Sequence, residues 1–143
     1  MTKKELRYHT LYLDIASRIA DMSHCNRLKV GSVLVKNDNI ISFGWNGQPS
    51  GFDNTCEDCN NKTLDTVIHA EDNAIRKVTR DGIDVSDSIL YITHAPCLKC
   101  SNLIVDNNIS SVVYKSRYRS EDGVKNLENN GIHVKQITGI NNE

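Results

Sequence analysis

Residues 88–116, SILYITHAPCLKCSNLIVDNNISSVVYKS, carry the pattern that decides the fold. Ile89, Leu90, Tyr91 and Ile92 form a short, continuous apolar run, which predicts a buried strand over 88–93. A helix is expected at about 97–107, and Val112, Val113 and Tyr114 predict a further strand at 111–115. Strand, helix and strand in that order call for a parallel pair joined by a crossover helix. The unit continues downstream with a helix over 120–130, ended by Asn130-Gly131, and a last strand over 132–137. Upstream lies a helix at about 69–80, stopped by Asp81-Gly82. Nearer the amino terminus, Leu6, Leu11, Ile15, Ile19 and Met22 recur at roughly helical spacing within 4–23. Residues 29–36 and 39–45 flank the turn residues Asn37-Asp38-Asn39 as a hairpin. The expected architecture is one α/β domain over 1–143, a three-layer α/β/α sandwich on a mixed five-stranded sheet.

Composition narrows the function. The chain has 143 residues, 38% hydrophobic and 24% charged, with Lys+Arg 17 against Asp+Glu 18 and a formal net charge of −1. A protein that tracks a nucleic-acid backbone needs a clear positive excess, so no nucleic-acid partner is expected. Lys3, Lys4, Glu5, Arg7 and Asp14 interrupt the amino terminus, and no run approaches the ~20 apolar residues of a membrane span. The reading is a soluble, cytoplasmic protein without a membrane partner. Five cysteines stand at 25, 56, 59, 97 and 100, two pairs of them spaced C-x-x-C. In a reducing compartment that spacing reads as metal ligation or redox chemistry before structural disulfides.

The chemistry gathers in two segments, His69-Ala70-Glu71 at a helix start and Pro96-Cys97-Leu98-Lys99-Cys100 where a strand gives way to a helix. His69, Cys97 and Cys100 make three nitrogen and sulfur ligands, which leave one position of a tetrahedral zinc open for water. Cys97 and Cys100 are three apart, so both sulfurs can reach one ion from one helix face. A helix N-terminus also favours the thiolate that a metal requires. Residues two apart in a regular helix face different sides, which sets Glu71 against His69 unless His69 lies outside helical geometry. Glu71 then stands beside the metal without ligating it, as a proton carrier. The alternatives are a closed zinc site or a thioredoxin-like disulfide at 97–100, and a redox pair would not need His69 and Glu71.

H-x-E followed by P-C-x-x-C resembles the zinc nucleobase deaminases. Over nearly its whole length the chain resembles the deoxycytidylate (dCMP) deaminase family. The resemblance rests on Ser23-His24-Cys25-Asn26-Arg27-Leu28-Lys29-Val30-Gly31, Gly44-Trp45-Asn46-Gly47-Gln48-Pro49-Ser50-Gly51, His69-Ala70-Glu71-Asp72-Asn73-Ala74-Ile75 and Pro96 to Cys100. Where the family has Gly-Tyr-Asn-Gly, this chain carries Trp45. Its compact size and frequent asparagine suit a phage-encoded member, which would act in the host cytoplasm. The resemblance implies a cytidine deaminase-like fold and hydrolytic conversion of dCMP to dUMP and ammonia, feeding thymidylate synthesis. It implies Glu71 as the catalytic residue and His69, Cys97 and Cys100 as zinc ligands. Asn46 and Ala70 are expected at the substrate, and Tyr118 stacked on its base. Arg27, Lys29, Arg117 and Arg119 flank the expected pocket, and arginine forks suit a 5′-phosphate.

By the same resemblance, dCTP activates and dTTP inhibits, with Mg2+, at a separate site drawn from Arg27, Lys29, Gly44, Trp45, Asn46 and Gly47, in a homo-oligomer, commonly a hexamer. Some family members hold a second, structural zinc, for which Cys25, Cys56 and Cys59 are the candidates, with His24 or His94 nearest as a fourth ligand. Cys25 as a small buried residue and Cys56 and Cys59 as plain thiols is the alternative. Two other functions fit parts of the pattern. A tRNA adenosine deaminase shares the zinc motifs but needs a basic RNA-binding face, and a non-catalytic zinc or nucleotide-binding module would have no use for Glu71.

Overall fold

A computed structural model of the chain describes residues 1–138. The last residues of the expected 1–143 domain, 139–143, lie outside the described residues. Nine elements follow the predicted order: α1 (Lys3–Ala20), β1 (Gly31–Lys36), β2 (Asn39–Trp45), α2 (Ala70–Thr79), β3 (Ile89–His94), α3 (Leu98–Asp106), β4 (Ser111–Ser116), α4 (Asp122–Asn129) and β5 (His133–Gln136). The five strands form one mixed sheet in the order β2-β1-β3-β4-β5. As expected, β3, β4 and β5 run parallel. β1 lies antiparallel to both β2 and β3.

Local chemistry sets the element ends. At the start of α1, Thr2 Oγ1 accepts the Glu5 N–H at 3.0 Å and the Thr2 N–H donates to Glu5 Oε2 at 3.3 Å, a reciprocal cap. The helix stops at Ala20, short of the predicted residue 23, because Asp21, Met22 and Ser23 bond back three residues and tighten the chain into a turn. The β1–β2 turn is made by Asn37 and Asp38 at φ 52 and 63, the left-handed pair a two-residue hairpin needs. β1 begins at Gly31 and not at 29, since the Val30 N–H is taken by the Asn46 side chain.

Side chains alternate across the sheet, as a pleated strand requires. Leu34, Leu90, Ile92, Val112 and Tyr114 face Ile75 and Val78 of α2, Ile104 of α3 and Leu127 of α4. Val33, Val35, Tyr91 and Val113 face Tyr12, Leu13 and Ala16 of α1. One helix therefore covers one face and three cover the other, the three-layer arrangement expected. Burying each of the larger aliphatic side chains contributes roughly 1.5–3 kcal/mol, so the central strands form a stiff base for the loops at their ends. No helix among the described residues is long and apolar enough to cross a membrane.

Candidate metal and catalytic site

The site forms where the N-termini of α2 and α3 meet. Buried hydroxyls hold α2 in place: Ser32 Oγ donates to the Ala70 carbonyl at 2.9 Å and Ser42 Oγ to the Ala74 carbonyl at 2.6 Å. Gly44 lets β2 come against the same turn, since a Cβ there would lie 2.6 Å from the Ala70 oxygen and 2.7 Å from the Ala74 nitrogen. Gly47 and Ile68 pair as an isolated antiparallel bridge and bring the chain into His69. Gly123 serves α3 in the same way: a Cβ there would run into the Pro96 carbonyl oxygen and come within 2.9 Å of the Cys97 carbonyl. Asn126 Nδ2 fastens α4 to α3 through Ser101 Oγ and Asn102 Oδ1, at 2.9 and 2.8 Å.

His69 is the N-cap of α2, in extended backbone (φ −72, ψ 157), and its side chain makes no capping bond. This resolves the spacing objection, because His69 and Glu71 do not share one helical turn. Cys97 is likewise the extended N-cap of α3, one residue outside the helix, while Cys100 lies in the first turn. Cys97 Sγ is 3.6 Å and Cys100 Sγ 3.2 Å from His69 Nδ1. Three such donors on one point fit a zinc ion with one coordination position left over.

The protonation pattern follows from that crowding. A hydrogen bond from Cys100, aided by one from His69, pulls the Cys97 thiol down to about 4. The Cys100 thiol is pushed up, first by that same bond and then by burial. His69 is raised by its bond to Cys97. Glu71 is 3% exposed, and burial lifts its carboxyl to about 7. A carboxyl poised near neutrality suits proton transfer in either direction.

A cavity of about 630 Å³ opens over these groups. Its lining brings together Arg27, Asn46, His69, Ala70, Glu71, Cys97, Cys100, Arg117, Tyr118 and Arg119. Tyr118 packs against the large core, with the Arg119 guanidinium 5.8 Å from its ring centre. Arg117 reaches Glu121 at 3.8 Å, with both side chains exposed, so the pair holds it only weakly. Asn46 lines the cavity with its amide engaged: Oδ1 accepts the Val30 N–H at 2.9 Å and Nδ2 donates to the Leu28 carbonyl at 2.8 Å. It brackets the 28–30 backbone at the cavity wall.

Several expected residues fall elsewhere. Lys29 lines a smaller hollow with Ser17, Thr93, His94 and Lys115, a different concavity from the one over Glu71. Of the stretch 44–47 only Asn46 lines the cavity. Trp45 stacks on Phe43, and the Lys77 ammonium lies over both rings. The trio Cys25, Cys56 and Cys59 does not converge. Cys25 and Cys56 are joined as a disulfide, Cα atoms 5.1 Å apart, while Cys59 is exposed. Asp58 Oδ1 accepts the Asn60 and Lys62 N–H groups, and that turn separates Cys59 from Cys56. The donor beside the joined pair is Glu57, whose carboxylate is occupied by backbone N–H groups. Sequence reasoning passed over Glu57; a carboxylate beside a cysteine in a long loop was its only signal.

A family model described as the cytidine and deoxycytidylate deaminase zinc-binding region matches residues 6–116. The chain belongs to this family. A Saccharomyces cerevisiae deoxycytidylate deaminase is 35% identical over 141 residues, covering 92% of this chain and 45% of the relative. The chain thus spans less than half of that relative's length. A deoxycytidylate deaminase of Mycobacterium phage D29 is 36% identical over 118 residues, covering 72% of this chain and 90% of the relative. The crystal structure of a dCMP deaminase from cyanophage S-TIM5, in complex with dCMP and dUMP, superposes with a TM-score of 0.89 at 37% identity. It covers 96% of this chain and all of that one. The cytidine deaminase-like fold implied by the sequence is therefore the observed one.

Proposed function

We propose that this chain is a zinc-dependent dCMP deaminase, which hydrolyses dCMP to dUMP and ammonia. The observation that carries the reading is a buried Glu71 carboxyl beside the convergent donors of His69, Cys97 and Cys100, in a cavity whose walls bear Arg27, Arg117 and Arg119. His69, Cys97 and Cys100 hold the zinc, which supplies the Lewis acidity that makes water a nucleophile at neutral pH. Glu71 carries the proton: it takes one from the attacking water, gives it to ring N3 of cytosine and assists departure of the amine from C4. Tyr118 covers the base, and the arginines receive the 5′-phosphate.

Supply of dUMP for thymidylate synthesis belongs to the same proposal. So do assembly into a homo-oligomer, a hexamer, and regulation by dCTP and dTTP with Mg2+. For the regulatory site Trp45, half-buried between Phe43 and Lys77, is a better candidate than Gly44, which is closed off against α2.

The test is ammonia release by zinc-loaded protein from dCMP, deoxycytidine and a tRNA anticodon hairpin, each with and without dCTP or dTTP. Turnover of dCMP, raised by dCTP and lowered by dTTP, is the expected result. Turnover of the hairpin alone would keep the metal chemistry and overturn the substrate.

A further inference from the structure

We propose that Glu57 is a positioning residue that holds Arg27 toward the 5′-phosphate of the substrate, an inference that rests on the dCMP reading above. Glu57 is 9% exposed, yet it lies in the wall of a cavity proposed to take an anion. A free carboxylate there would repel the ligand. This one is spent on the protein: Oε2 accepts the Asn26 N–H at 3.0 Å and the Arg27 N–H at 3.1 Å. Two consecutive backbone donors on one carboxylate oxygen are charge-assisted bonds and fix the backbone from which the Arg27 side chain departs.

The far end of Arg27 is held by the same loop. Arg27 Nη1 donates to Thr63 Oγ1 at 3.3 Å. Thr63 is in turn paired with Glu57 through an isolated antiparallel backbone bridge. The loop that carries Glu57 therefore meets Arg27 twice, at its backbone through the Glu57 carboxylate and at its guanidinium through Thr63, which the Asp58–Lys62 and Leu64–Cys56 backbone bonds hold opposite Glu57. An arginine fork must be held at the right place and angle to grip phosphate in two-point fashion. The adjacent Cys25–Cys56 disulfide ties the same two loops, so it acts in parallel with Glu57.

The experiment compares kcat/KM on dCMP with that on deoxycytidine, which lacks the phosphate. The zinc-loaded full chain is assayed in thiol reductant, so that Glu57 is the remaining tie. Glu57→Ala should raise KM for dCMP by about tenfold or more, with kcat and the deoxycytidine parameters nearly unmoved. Glu57→Gln keeps an acceptor oxygen and should restore most of the loss. Arg27→Ala should match Glu57→Ala, and the double variant should be no worse than Arg27→Ala alone. Thr63→Val should move the ratio in the same direction by less, and it remains informative together with Glu57→Gln if Glu57→Ala does not fold.

Equal loss on both substrates, or Glu57→Gln behaving as Glu57→Ala, would overturn the positioning role. An unchanged dCMP preference in Glu57→Ala would overturn it while leaving the dCMP reading intact. A wild-type enzyme without preference for dCMP over deoxycytidine would overturn both.

Discussion

Gly123→Ala sets a local rule against a tertiary one and decides between them by sign. In a helix, exchanging glycine for alanine ordinarily stabilises by about 0.5–1 kcal/mol, through backbone entropy. Gly123 lies inside α4, so the local rule predicts a gain. The structure predicts a loss. An added Cβ would sit 2.9 Å from both the carbon and the oxygen of the Cys97 carbonyl, against 3.4 Å for ordinary contact, and closer still to the Pro96 oxygen. These are backbone atoms, which cannot rotate aside, and they belong to the turn that carries Cys97. α4 would have to move away from α3, straining the Asn126 bonds to Ser101 and Asn102. Overpacking of this kind costs about 1–3 kcal/mol. Contacts this short belong in the upper half of that range, so subtracting the helical gain leaves a destabilisation of about 1–2.5 kcal/mol, or roughly 3–8 °C in Tm for a chain of this size. Thermal melts of zinc-loaded protein, with metal content measured on the same samples, supply the assay. Zinc should be held less tightly too, because the shifted turn misplaces one of three ligands. A Tm at or above wild type would refute the close-approach argument.

Glu71→Gln should keep zinc at wild-type stoichiometry and lose about 10²–10⁴-fold in dCMP turnover, since the amide cannot carry the proton; undiminished turnover would sink the assignment. Cys97→Ala should abolish tight zinc binding at the His69 site, and wild-type metal content by elemental analysis would contradict the ligand set. His9 gives a pH dependence of stability. Its Nδ1 lies 2.8 Å from the Tyr91 hydroxyl, which burial keeps protonated, so neutral His9 accepts that proton. Burial, with help from Lys135, holds His9 below its ordinary 6.5. The unfolded chain therefore binds the proton first, so the stability from this contact is complete above pH 6.5 and is lost as pH falls from there through the lower value of folded His9. The Tm should drop between pH 7.5 and 5.5, and His9→Gln should flatten that slope; an equally steep slope in the variant would remove His9 from the account.

The sequence by itself determined whatever depends on neighbours within a turn or two of chain. Apolar runs and helix starts predicted the nine elements in order, and the parallel run of β3, β4 and β5 followed from their alternation with helices. His69, Glu71, Cys97 and Cys100 were legible because ligand type and spacing are local, and their meeting needs only two helix starts at adjacent strand ends. Boundaries slipped where a distant group intervened, as when Asn46 took the Val30 N–H and delayed β1. Tertiary structure alone decided which residues share a wall. It paired Cys25 with Cys56 across 31 positions, turned Cys59 outward, moved Lys29 to another hollow and set Glu57 behind Arg27. The physical reason is the range of the interaction. Periodicity and capping act along the chain, whereas a disulfide, a buried carboxylate on backbone N–H groups and a glycine under a carbonyl depend on segments that only folding brings together.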